Sequence, residues 1–288
     1  MRLFGQKLSI AATFGFAIIA INILAALLAP VIAPFGEADM IGDVWDAPSW
    51  LKEEGEEADA GEVTASQTLL GLDNLGRDMF SRLLYGARTT ITIALITTCL
   101  SFTIGCLLGF AAAVSGGWLD MLLSRAVDAL MAIPTLIFAL LVLSVLGTSI
   151  PVLIGTVAVL DSTRVFRLSR AVAMNIAVLE YVEAARLRGE GLGWVMGREI
   201  LPNALPPLIA EFGLRFCFAF IFIASLSFLG LGIQPPFADW GSMVRDNAQA
   251  IVFGGIAPLI PAAAIALLTI GVNLVVDWIL SIHAARRA

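Results

Sequence analysis

Long uncharged apolar stretches alternate along this chain with short charged ones. Residues 8–36 carry no charge over 29 positions, and residues 89–119 none over 31. About 20 helical residues cross the hydrocarbon core of a bilayer, so each stretch is long enough to span. The same pattern predicts further spans at 122–146, from about Ile150 onward, at 205–231 and at 256–282. Gly116-Gly117 closes the second span, Gly147-Thr148-Ser149 before Pro151 makes a tight turn, and Pro235-Pro236 lies in the loop 232–253. The expectation is an all-α membrane protein with six transmembrane helices.

The segments follow: a terminal stretch 1–7, a first helix 8–36, a polar acidic loop 37–88, a five-helix core 89–282 with a mixed-charge loop at about 173–203, and a tail 283–288. Arg2 and Lys7 before the first apolar run resemble the start of a signal peptide. The run exceeds the 7–15 residues of such a core, and Pro34 crowds its small-residue site, so an uncleaved span is expected.

Composition sharpens this. Of 288 residues, 59% are hydrophobic and only 14% charged, against about 25% charged in soluble domains. A disordered chain, a disulfide scaffold and an ordinary cytosolic enzyme are excluded. The net charge of −6 comes from one place, since residues 37–62 hold ten acids and one Lys. Two readings of that insert stand: a solvated loop, or a docking surface that meets a basic partner or steers cationic substrates. Outside it, 16 basic residues face 13 acids, and no basic patch suggests nucleic-acid binding. Eleven Lys and Arg fall on the side of the termini and five on the other, which makes the termini cytoplasmic.

Chemistry is sparse. Cys99, Cys106 and Cys217 lie in apolar runs and read as small buried residues. Without a Cys or His cluster, a metal site is not expected. Lys7 and Lys52 are the only lysines and neither follows a phosphate-binding glycine turn, so no ATP hydrolysis, catalytic residue or cofactor is expected in this chain.

The loop 173–203 carries the informative pattern. Glu183-Ala184-Ala185 is followed by Gly189 six residues after the Glu, and Ile200-Leu201-Pro202 begins eleven after the Gly. It reads as a short amphipathic helix, a glycine turn, and a second helical piece ended by Pro202, with small Ala184 and Ala185 admitting a partner backbone. This spacing resembles the EAA loop of ABC-importer permeases. Three further segments resemble the C-type permease subunit of dipeptide, oligopeptide and nickel importers. They are Leu70-Gly71-Leu72-Asp73 through Gly76-Arg77-Asp78, Asp128 to Pro134, and Leu226-Ser227-Phe228-Leu229-Gly230-Leu231-Gly232 with Asp239-Trp240-Gly241. The resemblance covers about residues 68–280. Leu72, Asp161, Ile223 and the tail depart from the family pattern.

The resemblance implies the type I ABC importer permease fold in a bacterial inner membrane. It implies a second homologous permease, two cytoplasmic ATPases that bind ATP and Mg, and an extracytoplasmic binding protein delivering short peptides. Nickel complexes, opines and glycosides are the other substrates it admits. Glu183, Ala184, Ala185, Gly189, Ile200, Leu201 and Pro202 would couple to the ATPases.

Charges inside the spans leave alternatives open. Asp161 would cost roughly 2.5–3.5 kcal/mol on insertion scales, so it faces protein or a wet path: it is either a structural partner of Arg164 or a path residue. Glu211 and Arg215, four apart, are a structural pair or a polar point at a gate. Gly230 and Gly232 end a helix or hinge the outer mouth. Two other functions remain on these grounds: an ion-coupled carrier using Asp161 or Glu211, which needs no coupling loop, and a non-transporting scaffold.

Overall fold

The computed structural model describes residues 2–3, 6–7, 9–48 and 68–285, with side chains for 9–48 and 68–282. It is helical apart from a short antiparallel pair, Arg2–Leu3 with Gln6–Lys7. The helices are α1 (Ile10–Ile32), α2 (Met79–Ser115), α3 (Gly117–Met131), α4 (Thr135–Leu146), α5 (Ile150–Ala177), α6 (Glu180–Leu187), α7 (Leu192–Trp194), α8 (Leu201–Phe228), α9 (Trp240–Asp246) and α10 (Leu259–Ala285). A π-helical turn, Val195–Ile200, joins α7 to α8, and a 3-10 segment, Ala248–Phe253, follows α9.

Among the described residues, four helical stretches are long and apolar enough to cross a membrane: α1, α2, Leu192–Phe228 and α10. The α3–α4 pair makes five if it counts as one span, and it is bent by 86°. The straight span expected at 122–146 is therefore broken. Pro134 lacks an N–H and pushes Ile133 out of helical conformation. The 28-residue α5 is long enough, but Asp161, Arg164, Arg167 and Arg170 keep it outside the apolar set. The second span starts at Met79 rather than at 89, because Asp78 accepts the Ser81 N–H at 2.8 Å and caps the helix inside the polar segment.

The chain forms two compact units. The first comprises residues 1–94, 148–150 and 220–278. Here α1 meets α10 through small residues: a Cβ on Gly15 would lie 2.7 Å from the Gly271 carbonyl oxygen, and one on Gly271 would lie 2.8 Å from Ile18. Such close approach is a common way to pack helices in lipid. Phe16 and Trp278 add an edge-to-face contact at 5.8 Å.

The flanks of the acidic loop are built into this unit, not merely solvated. Buried Asp73 accepts the Arg77 N–H at 3.0 Å on Oδ1 and the Arg77 guanidinium at 2.7 Å on Oδ2, and the Arg82 guanidinium lies 3.2 Å from that same Oδ2. Arg82 also donates to the Glu37 carbonyl, and the Glu37 carboxylate accepts the Ala238 N–H. Asn247 accepts from the Trp45 indole and the Asn74 N–H. Asp239 caps α9 through the Ser242 N–H at 2.9 Å and meets Thr90 at 3.0 Å. Burial pushes the Asp239 carboxyl above the usual carboxylate range, against the opposing pull of hydrogen bonds from Ser242, Ser227 and Thr90. The Glu-rich run 53–57 lies outside the described residues.

The second unit comprises residues 95–147, 151–219 and 279–288. Gly105 and Gly109 let α2 touch α5, and the Ser169 hydroxyl donates to the Gly105 carbonyl at 3.0 Å. A Cβ on Gly109 would sit 2.9 Å from the Phe166 carbonyl oxygen and from the Arg170 nitrogen, with the Ser169 hydroxyl closer still. Gly109→Val is therefore expected to cost about 1–3 kcal/mol by overpacking. Thermal unfolding of the detergent-purified chain checks this, with Gly155→Ala as the silent control, since nothing lies within 4 Å of that Cβ.

Cys99 is exposed, not buried as expected, because α2 turns that face outward; Cys106 is half-buried and Cys217 buried.

Candidate functional site

The loop expected at 173–203 is a short helix held on a core of its own. In α6, Glu180 and Glu183 occupy the first turn and Arg186 the last, matching the helix dipole. Val182 is buried in a cluster with Phe110 of α2, Ala173 and Ile176 of α5, Val195, Ile200, and Ala204 and Leu208 of α8, and Ala185 of the same helix is buried too. Arg186 donates to the Val114 carbonyl, one of the last of α2, at 3.2 Å. The helix is thus fastened to three long helices by apolar packing and a hydrogen bond.

Its outer face is open. Glu183, Ala184, Leu187 and Gly189 are exposed, with Val178, Leu179 and Tyr181 beside them. Gly189 forms the expected turn, with φ +83° in the left-handed region. Arg188 lies over the Trp194 ring at 5.9 Å, closing the turn. Two expectations change. Ala185 faces its own chain, leaving Ala184 as the small exposed residue. Pro202 does not end the preceding helix: the Leu201 N–H bonds the Met196 carbonyl five residues back, and this wide π turn carries the chain into α8 with Pro202 in its first turn. Ile200 is buried, while Leu201 and Pro202 are exposed.

The charges within the spans form one network, not two separate pairs. Arg215 lies 2.7 Å from Glu211 on its own helix and 3.5 Å from Asp161 on α5. The Ser101 hydroxyl of α2 donates to the other Asp161 oxygen at 3.2 Å, and Arg164 stands 3.8 Å away. The Arg215 Nε, though close to Glu211, is out of line for a hydrogen bond. Phe218 receives the guanidinium at 4.6 Å, and Phe102 stacks edge-on with Phe212 at 5.1 Å. Three helices are tied at this level. Sequence spacing showed only Asp161–Arg164 and Glu211–Arg215; the shared arginine is visible only once α5 and α8 are packed.

Gly230 and Gly232 lie at the end of α8. Gly230 takes φ +87°, its N–H bonds the Ser227 carbonyl, and the Leu231 N–H bonds the Leu226 carbonyl. This is the pattern that ends helices. Gly232 rests directly on the Ser227 backbone, where no Cβ fits.

Residues 101–288 match the family model described as "Binding-protein-dependent transport system inner membrane component". The di/tripeptide transport system permease of Pseudomonas aeruginosa is 35% identical over 256 residues, covering 88% of this chain and 81% of that protein. The glutathione transport system permease of Pectobacterium atrosepticum is 33% identical over 216 residues, covering 75% and 72%. Among solved structures, an amino acid ABC transporter with histidines is 23% identical, covers 68% of this chain and 92% of its own, and gives a TM-score of 0.48. The ion-coupled carrier is not favoured by the di/tripeptide and glutathione permease relatives, and in the structure Asp161 and Glu211 are both engaged with Arg215.

Proposed function

The chain belongs to the family of binding-protein-dependent transport system inner membrane components, and from that premise we propose that it forms half of a translocation path for short peptides. It is a multi-pass permease subunit of an ABC importer and performs no bond chemistry itself. In this reading α1, α2, the bent α3–α4 pair, α5, α8 and α10 are six spans, with both termini cytoplasmic and loop 37–88 outside. A second homologous permease supplies the other half. Two ATPases holding ATP and Mg dock on α6, and a binding protein delivers substrate from outside.

One observation supports the coupling assignment most: α6 is buried on one face against three long helices and exposed on the other. A push on the exposed face reaches α2, α5 and α8 together. Closure of the ATPases then shifts an equilibrium between inward-facing and outward-facing states, which requires contacts that differ between those states. Glu183, Ala184, Gly189, Leu201 and Pro202 lie on exposed positions; Ala185 and Ile200 anchor the helix from below.

Peptides are proposed because relatives named for di/tripeptide and glutathione transport align over most of both chains. The test is uptake of a labelled dipeptide by the complete transporter in proteoliposomes. Uptake is expected to require enclosed ATP and to survive an ionophore that collapses the ion gradients. Uptake abolished by the ionophore at constant ATP would reverse this conclusion.

A further inference from the structure

Charge on α5 is sorted by exposure. Arg164, Arg167, Ala171 and Met174 are exposed and fall at helical spacing, on one stripe. The Asp161 side chain is 6% exposed, against 43% for Arg164. Asp161 is shared with Ser101 and Arg215, so it leaves the stripe with net positive charge.

The direction of Arg164 is informative. Asp161 lies one turn nearer the N-terminus of α5. By standing 3.8 Å from it, the guanidinium reaches toward mid-span rather than along the snorkelling route to the cytoplasmic end. An exposed guanidinium held at that depth is too costly against acyl chains and belongs on a wet surface. Arg167, one turn on, contacts the Met131 sulfur at 3.8 Å. It borders a cavity of about 400 Å³ lined also by Ser124, Val127, Asp128, Phe166 and Arg170. Arg170 is committed to Asp120 at 2.6 Å and also feels the Asp128 carboxylate, so Arg167 is the cation of that cavity outside the Asp120 pair and Asp128 its anion.

We propose that Arg164 is a specificity residue of the translocation path, taking the substrate's carboxylate, with Asp161 as its positioning residue and the Arg167–Asp128 cavity as the next station. A guanidinium pairs with a carboxylate through two parallel N–H bonds. The opposite charges of the cavity suit a zwitterion, so the substrate class is a small peptide with free ends. This rests on the peptide-permease reading above.

The test uses the complete transporter in proteoliposomes with saturating binding protein, and two probes: alanyl-alanine and its C-terminal amide. Arg164→Gln is expected to cut uptake of the free acid about tenfold while changing amide uptake less than about twofold. Asp161→Asn shifts the ratio the same way by less, and Arg164→Lys recovers part of the acid uptake. Equal losses for both probes, or none, overturn the proposal while leaving the permease reading intact. If the wild type takes up neither probe, the peptide reading fails and the proposal falls with it.

A second measurement does not depend on Arg164 variants assembling. With Cys99, Cys106 and Cys217 replaced by Ser, Ala171→Cys is expected to react with a charged, membrane-impermeant thiol reagent. Reaction only with a lipid-soluble maleimide would place the stripe against acyl chains and overturn the proposal.

Discussion

Replacing Gly189 by arginine is expected to lower ATP-driven uptake by at least about tenfold, a loss of roughly 1.4 kcal/mol or more of coupling, while the chain still inserts and assembles. The turn after α6 has φ +83° at this position, which costs an L-residue about 1–2 kcal/mol. Nothing lies within 4 Å of the added Cβ, so the fold meets no clash. The damage falls on the exposed face, where a third arginine would join Arg186 and Arg188 beside Leu187. Gly189→Asn separates the two causes, since asparagine tolerates the left-handed turn and stays small. Uptake retained in Asn and lost in Arg identifies surface obstruction. Wild-type uptake in the Arg variant would remove the coupling assignment.

Arg215→Met is expected to be the most destabilising single change in the spans, at about 3–5 kcal/mol. Arg215 neutralises two carboxylates, Glu211 at 2.7 Å and Asp161 at 3.5 Å. Removing it leaves a buried Asp161 with Ser101 and the half-exposed Arg164, at 3.8 Å, as its remaining partners. Methionine keeps most of the volume, so the loss reports uncompensated charge rather than a cavity. The triple variant Asp161→Asn, Glu211→Gln, Arg215→Met is expected to recover most of it, because neutral groups do not need the cation. Thermal unfolding in detergent measures both. A single variant as stable as wild type would mean that water, not Arg215, solvates Asp161.

Much of the helical layout was readable from apolar run lengths, because a span must satisfy its own backbone and lipid admits few polar side chains. The ends of α1 and α10 lie close to the expected limits for that reason. Boundaries failed where the signal was a single residue. Asp78 caps α2 from within a polar segment, and Pro134 breaks a run that hydropathy alone reads as continuous.

The candidate site divides the same way. Gly189 was legible as a turn because a glycine between two amphipathic pieces permits a left-handed or a close-packed bend, and the structure takes the first. Ala185 was misread because spacing does not say which side of a short helix meets its own core. Arg215 and Asp161 are 54 positions apart, and no local pattern joins them. The same holds for Asn247, which holds Trp45 and Asn74 from far along the chain. Such contacts follow from packing, not from sequence periodicity.

The coupling claim is tested most directly by proximity. A photo-crosslinking amino acid at Leu187, 83% exposed on α6, would be activated in native membranes that contain the whole transporter. The expected product joins this chain to an ATPase subunit, and its yield changes between ATP-bound and nucleotide-free states. Crosslinks only to lipid or to another membrane subunit, in every nucleotide state, would contradict the account.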